Sequence, residues 1–538
     1  MASAFLLIVL SALVYAYLRL TQKRRVVLRG PPRDSWLVGN ELDIQAPQQA
    51  GDAERRWTAE YGGAVSVPGF FGDETILLSD PAAIAHIVHA SKYIYSRTAD
   101  LHHMFVIFHG PGLTGVDGED HRRQRRILGP AFSPNQMNTY LRVFEKEAEK
   151  LGNILKEKVL AKENDSVFNM VKWIAKASLD ILGDAFFGYE FGALDGSEFS
   201  KTWEAAFANE ASTISKGALA YMALWRYWPH WIMDIFDGLM IKYTAYGAID
   251  RFRRARVAVA ENILQKAVDD GLGRNDDSKD ILNLLASSYL ATDQRKKMSR
   301  NEVTGQMATL IFGGQDTTGF TESFLLSELA QHPEDQETLR KEIDEFFAKR
   351  DNGQLLNLSV HDYSALPFMN ACIKETLRLH PNGHMMLRTP DRDDVIPLAT
   401  PVLTIDGNLT SSVSVRKGQT VCISTLSYQL NKSIWGDDAE QWNPRRFLDQ
   451  KLDGNDEESK IGVYANLLAF SGGPKSCIGW LFALTEMQVL TASLIREFNF
   501  EPVADIGHGT ASISLFPRVI GKEKEGTQLP LKISLRAH

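Results

Sequence analysis

The decapeptide Phe470-Ser471-Gly472-Gly473-Pro474-Lys475-Ser476-Cys477-Ile478-Gly479 constrains this chain more than any other stretch. It comes after a long loop and leads into an apolar helical run, Ile478 to Arg496. A lone cysteine is ordinarily a small buried hydrophobe. Here glycines flank the sulfur, so backbone amides can reach it, and the dipole of the following helix favours a thiolate. A sulfur carried on a loop can face a planar ligand instead of packing inside a helix. A thiolate among amide donors suits the axial position of haem iron, where it pushes electron density that assists O–O cleavage. The chain has three cysteines and no CxxC, which excludes a disulfide scaffold and a zinc ribbon. Cys372 and Cys422 read as plain core.

The formal net charge of −8 is unevenly placed. Residues 1–33 hold six basic side chains and no acidic one, so the remainder carries −14. Such a body gives no support to nucleic-acid binding. Ala2 to Leu18 is apolar apart from Ser3, Ser11, Tyr15 and Tyr17, and 17 helical residues span about 25 Å, at the short end for a bilayer core of ~30 Å. The charges come after the apolar run as Arg19, Lys23, Arg24 and Arg25, unlike a cleaved signal peptide, whose charges precede it. The expectation is a retained single-pass anchor in the bilayer (1–20), a basic and proline-rich linker (21–40), and one large domain (41–538) facing the cytosol. Length alone would suit two to four domains, but no linker is long or biased enough to divide this one.

The body reads as mainly α with small β-sheets. Strand patterns at Ala64 to Val67 and Thr75 to Leu78 precede a helical region from Pro81 to Ala348. Short β-rich segments return between Val395 and Ser424. Val303 to Leu329 reads as one long helix with two adjacent glycines, Gly313 and Gly314, at its centre. They cost about 1–2 kcal/mol relative to alanine, so something should require them. A plain kink, with Thr317 bonding back to a carbonyl one turn earlier, would do so. Room for a flat cofactor and dioxygen would do so too.

Four spaced motifs resemble those of the cytochrome P-450 family, in the family's order and over essentially the whole chain after the anchor. The cysteine signature Phe-x-x-Gly-x-Arg-x-Cys-x-Gly is matched at Phe470, Gly473, Cys477 and Gly479, with Lys475 standing where the family usually has arginine. Gly313-Gly314-Gln315-Asp316-Thr317-Thr318 is similar to the oxygen-activating motif. Glu375-Thr376-Leu377-Arg378 looks like Glu-x-x-Arg, and Trp442-Asn443-Pro444-Arg445-Arg446-Phe447 resembles its downstream partner element. The resemblance implies a P-450 fold enclosing haem b, with the Cys477 thiolate as axial iron ligand. It implies that Thr317 holds dioxygen and its water while Asp316 relays protons, and that Gly314 clears space for the cofactor. Glu375, Arg378 and Arg446 would form a buried ion network that fixes the cysteine loop, and Arg445 would be surface variation. Haem propionates would take Arg125 and Arg388, with Lys475 and His121 as departures from the family's arginine and tryptophan. Phe105, Ile107, Phe108, Phe312 and Met385 are candidates for an apolar substrate pocket, roofed in part by the segment from Ala205 to Met240.

Together with the anchor, the resemblance implies a membrane-anchored haem-thiolate monooxygenase of the endoplasmic reticulum. It would insert one atom of O2 into a hydrophobic small molecule, a terpenoid, steroid or similar secondary metabolite. Electrons would come from NADPH through NADPH–cytochrome P-450 reductase, onto whose acidic surface Arg122, Arg123 and Arg126 could dock. The chain looks most like fungal secondary-metabolism members. Two alternatives remain: a haem-thiolate enzyme that rearranges peroxides without external electrons, and a non-catalytic membrane haem carrier or sensor.

Overall fold

The computed structural model describes residues 28–90, 93–161, 166–207, 221–228, 231, 233, 246–272, 279–349, 358–448, 461–511 and 513–536. The anchor expected at 1–20, the linker up to residue 27 and most of the segment from Ala205 to Met240 lie outside these residues. Among the described residues no helix is long and apolar enough to cross a membrane.

In chain order, α1 (Asp52–Tyr61) leads into the hairpin β1 (Ala64–Pro68) and β2 (Glu74–Leu78), followed by the short β3 (Tyr95–Ser96). Helices α2 (Ala99–His109), α3 (Gly118–Leu128), α4 (Pro134–Ala161), α5 (Met170–Leu182), α6 (Glu198–Phe207) and α7 (Tyr246–Asp269) come next. The central helix α8 (Arg300–Gln331) is followed by α9 (Pro367–Leu379) and β4 (Met385–Pro390). The antiparallel pair β5 (Asp394–Leu403) and β6 (Leu409–Val415) precedes β7 (Val421–Ser424), and α10 (Trp480–Glu497) comes after the cysteine loop. The main sheet runs β1-β2-β7-β4-β3, with β2 and β7 parallel and its other pairs antiparallel. The sheets are small and the helices dominate, as the sequence pattern implies. The α1 helix sits where the sequence pattern indicated no helix.

Local chemistry sets the ends of the helices that matter. A capping box starts α8: Glu302 N–H donates to Ser299 Oγ while the Glu302 carboxylate takes the Ser299 N–H. The helix then runs unbroken for 32 residues through both central glycines. Pro367 opens α9 at its first turn, and His380-Pro381 ends it. The principal core packs α4, α5, α8, α9 and α10 together, and α8 is its axis: 23 of its residues are buried. Its crossing with α5 is close. A Cβ on Gly314 would stand 2.6 Å from Leu182, and one on Gly319 would stand 3.2 Å from Ala175. Gly314, expected to clear space for a cofactor, therefore admits a neighbouring helix. Gly313 is the glycine left exposed, and a Cβ there would meet nothing within 4 Å.

Candidate active site

The cysteine loop is closed by Cys477 N–H donating to Phe470 O at 2.9 Å. Phe470 is half-buried and meets Tyr464 edge-on. Gly473 adopts φ +64°, and a Cβ on it would fall 1.8 Å from Val88 O; one on Gly472 would fall 2.2 Å from Ile461 O. These two glycines seat the loop against the His86–Ala90 segment, a different task from the one expected of them. The amide that does reach the sulfur belongs to Gly479, the N-cap of α10. Cys477 is exposed by area, yet burial pushes its thiol pKa up, with the Gly479 N–H and Arg125 acting to lower it. The two observations agree if the sulfur opens onto enclosed space inside the molecule. Iron would complete the deprotonation, since a metal binds the thiolate.

Beside this loop lies a cluster of cations. Arg125 donates from Nη1 to Ser476 O at 2.6 Å and from Nη2 to Ser476 Oγ at 3.0 Å. Lys475, 7% exposed, pairs with Asp117 at 2.7 Å, and burial pulls its pKa to about 8 against that partner. Asp117 also caps α3. Although burial opposes it, Lys475 and the Gly118 N–H hold the Asp117 carboxyl below its usual range. A small cavity lined by Ile87, Val88, Tyr95, Arg388, Ser471, Gly472 and Lys475 links cluster and loop. Burial brings Arg388 to about 10, and the neighbouring Arg97 adds to the effect. Arg97 is the residue that sequence reasoning missed here; it stands in no motif. Its Nη1 is buried without a hydrogen-bond partner, and burial lowers its pKa. His121 accepts or donates at Nδ1 with Tyr93 Oη at 3.0 Å. Burial, then Arg97, Arg125 and Lys475, push it down to about 4, so it is neutral at pH 7.

The ion network comes together as expected. Arg378 grips Glu375 through Nε at 2.7 Å and Nη2 at 2.8 Å, and Arg446 Nε reaches the same carboxylate at 3.0 Å. Glu375 and Arg378 are fully buried. The remaining guanidinium protons go to Gln429 O, Ala439 O and Gln441 O from Arg378, and to Trp435 O and Asp438 from Arg446. Gln429 carries the link onward: its Nε2 donates to Leu377 O and Arg378 O, and its Oε1 accepts from Leu468 N–H at 2.7 Å. Leu468 lies two residues before Phe470, so the network holds the start of the cysteine loop through one glutamine. Arg445, expected to be surface variation, pairs with the buried Asp335 at 2.6 Å.

At the centre of α8, Thr317 Oγ1 donates to Gly313 O at 2.6 Å, the one-turn back-bond that the sequence reading weighed. Asp316 is 5% exposed and accepts from Trp203 Nε1 on α6 at 3.1 Å. Burial raises its pKa to about 7, against the opposing pull of Arg256 and Trp203. Neither partner was anticipated, because Arg256 and Trp203 stand in no motif. Among the pocket candidates, Phe105 and Met385 are buried, while Ile107, Phe108 and Phe312 are half-buried. Arg123 is paired internally with Asp120 and Glu302, and Arg122 with Glu119, so Arg123 is not free to meet an electron donor.

The arrangement fits haem on its own observations. Arg97, Arg388 and Lys475 face a single carboxylate, Asp117, with Arg125 bonded to Ser476 next to Cys477, and a buried guanidinium nitrogen lacks an acceptor. Two propionates would supply acceptors and charge balance. A helical fold with an open cysteine and a cation-rich wall defines a haem-thiolate site. The Cytochrome P450 family profile matches residues 29–512. Ganoderic acid synthetase of Ganoderma lucidum is 33% identical over 494 residues, covering 89% of each chain. Cytochrome P450 monooxygenase 219 of Postia placenta is 30% identical, covering 94% of this chain and 92% of its own. Cytochrome P450 monooxygenase claQ of Ampulloclitocybe clavipes is 30% identical over 95% of this chain and 93% of its own. This chain belongs to the cytochrome P450 family, and with it to the oxidoreductases that work with a cysteine-ligated haem iron.

Proposed function

We propose that the chain is a membrane-anchored monooxygenase acting on a hydrophobic small molecule of the terpenoid or steroid kind, supplied with electrons from NADPH by a reductase. The observation that carries this reading is Asp316, a buried carboxyl able to hold a proton near neutral pH, next to Thr317 at the open centre of α8. Bound haem supplies dioxygen activation: one oxygen atom enters a substrate C–H bond and the other leaves as water, with two electrons and two protons consumed.

Cys477 holds the iron through Sγ, and the Gly479 N–H steadies the thiolate charge. Arg97, Arg125 and Arg388 hold the propionates. Lys475, already matched by Asp117, positions that wall, and His121 adds a neutral donor. Asp316 carries a proton on its carboxyl below about pH 7 and passes it toward the open face beside Gly313. Thr317 Oγ1 spends its own proton on Gly313 O, so toward the chamber it offers lone pairs that order a water. The half-buried Ile107, Phe108 and Phe312 favour an apolar body and exclude bulk water. A peroxide-rearranging enzyme would have no use for the proton that Asp316 holds.

Reduced protein under carbon monoxide is expected to show the red-shifted Soret band of thiolate ligation, and Cys477→Ser to abolish it. A histidine-type spectrum in the unmutated protein overturns the proposal. NADPH-dependent oxygen uptake with reductase present, and products gaining one oxygen atom, test the reaction. For the endoplasmic reticulum anchor, carbonate-washed microsomes should retain the full chain and release one lacking residues 1–20.

A further inference from the structure

Arg256 poses a problem that the monooxygenase reading leaves unsolved. It lies on α7, is 2% exposed, and packs where α7 meets α2 and α8. Its Nη2 donates to Phe108 O at 2.9 Å, and its Nη1 reaches Ala308 O at 3.4 Å and His109 Nδ1 at 3.5 Å. Its Nε is buried and has no partner, and it makes no salt bridge among the described residues. A buried cation with no counterion is costly, and the equally buried Arg226 and Arg378 each pair with a carboxylate. Asp316 is the nearest anionic influence, but its carboxyl accepts from Trp203 instead.

The neighbour that matters is His109, the last residue of α2, also 2% exposed. Arginine can only donate, so His109 Nδ1 must accept and the ring proton sits on Nε2. Burial and Arg256 keep the ring neutral. His109 lies 4.2 Å from the Phe312 ring, and the Arg256 guanidinium lies 5.9 Å from it on α8. Phe312 is half-buried and immediately precedes Gly313, whose face is open. An unpartnered cationic N–H, held beside a neutral imidazole, thus lies near a half-buried ring that adjoins the open face of Gly313.

We propose that Arg256 and His109 form an anion-recognising end of the substrate chamber, so that the substrate is an apolar molecule bearing a carboxylate. Its oxygens take the Arg256 Nε–H once Phe312 turns aside, while His109 Nδ1, accepting from Nη1, holds the guanidinium in place. The apolar body then lies along Phe108 and Phe312, and the fixed carboxylate decides which carbon meets the reacting centre. This rests on the reading of the chamber as that of a monooxygenase.

The test uses the full chain loaded with haem and showing the thiolate carbon monoxide band. Dodecanoic acid, abietic acid and lithocholic acid are titrated against their methyl esters, and the Soret shift on ligand entry gives each affinity. At least one acid should bind roughly 10- to 100-fold tighter than its ester, the range expected for hydrogen bonds to a charged group. Arg256→Met and His109→Phe should erase the difference, and Arg256→Lys should keep part of it. If no acid exceeds its ester, or if the preference survives both Arg256→Met and His109→Phe, the proposal falls. It also falls if Arg256→Met moves only the pH dependence of coupling, which would make Asp316 the cation's sole purpose. A histidine-type carbon monoxide spectrum instead defeats the haem-thiolate reading on which this one stands.

Discussion

Two groups of buried arginines flank the cysteine loop, and they are built on opposite principles. Around Glu375, the guanidinium protons of Arg378 and Arg446 go to a carboxylate or to carbonyls within a few ångströms. Around Arg388, two arginines and Lys475 share one carboxylate, and Arg97 keeps an unmatched nitrogen. The first group is finished by the chain alone. The second is finished only by something with negative charge. A saturated network is structural and an unsaturated one marks a ligand, because an unpaired buried charge persists only where a partner arrives.

The comparison breaks most sharply at Glu375. Glu375→Gln leaves two buried guanidinium groups without their anion, at a cost of about 3–5 kcal/mol against a total stability of about 5–15 kcal/mol. Loss of soluble protein, or a steep fall in melting temperature of both haem-loaded and haem-free forms, is the expected outcome. A variant that melts like the parent would show the network to be dispensable.

Next in size is the proton-bearing carboxyl. Asp316→Asn should cut coupled turnover by about 100-fold and divert reducing equivalents to peroxide, measured as product formed per NADPH consumed. In the parent, coupling should decline as pH rises through about 7, because the carboxyl is protonated only below that value. The Asn variant should lose that inflection. An unchanged pH profile would take Asp316 out of proton delivery.

Arg388→Met tests the unsaturated cluster. Removing one of several cations that repel each other should leave the melting temperature of the haem-free form unchanged or raise it. Haem transfer to an acceptor such as apomyoglobin should meanwhile speed up about tenfold. If the haem-free form melts lower by as much as Glu375→Gln does, the second cluster is a structural network like the first.

These contrasts also explain what the sequence could carry. Motif spacing brought Glu375, Arg378 and Arg446 into one buried network, set Cys477 beside the N-cap of α10 and put Thr317 on a one-turn back-bond, because a helix turn and a capped loop are local backbone geometry. Length and apolar period located α8 to within three residues at each end. The reasons for its glycines were not legible, since Gly314 answers to Leu182, more than 130 positions away in the chain. Arg97, Trp203 and Arg256 were invisible for the same cause. Each is an ordinary residue in an ordinary segment until the fold brings it against a cation wall, a buried acid or an aromatic chamber. Lys475 was legible as a departure, but its answer, Asp117, sits 358 positions upstream.

The smallest effect concerns the mirror image of the cation cluster. Glu322 on α8 and Glu486 on α10 are both fully buried, with Thr491 donating to Glu322 at 3.0 Å and Ser178 beside Glu486. Neither has a cation partner among the described residues. Burial raises each pKa to about 8, opposed at Glu322 by Thr491. At Glu486 the opposition comes from Ser178, while Glu322 adds to the rise. An unfolded glutamate titrates near 4.3, so between about pH 4.3 and 8 the folded state holds protons that the unfolded chain has released. Stability from this pair is therefore full in acid and lost as pH climbs to 8, the reverse of an ion-paired carboxylate. Glu322→Gln has no proton to lose. Its melting temperature should fall less between pH 5 and pH 8 than the parent's, by roughly 1–4 °C. Equal slopes would mean that a counter-charge reaches the pair, and buried anions in this fold would then be finished by the chain as completely as Glu375 is.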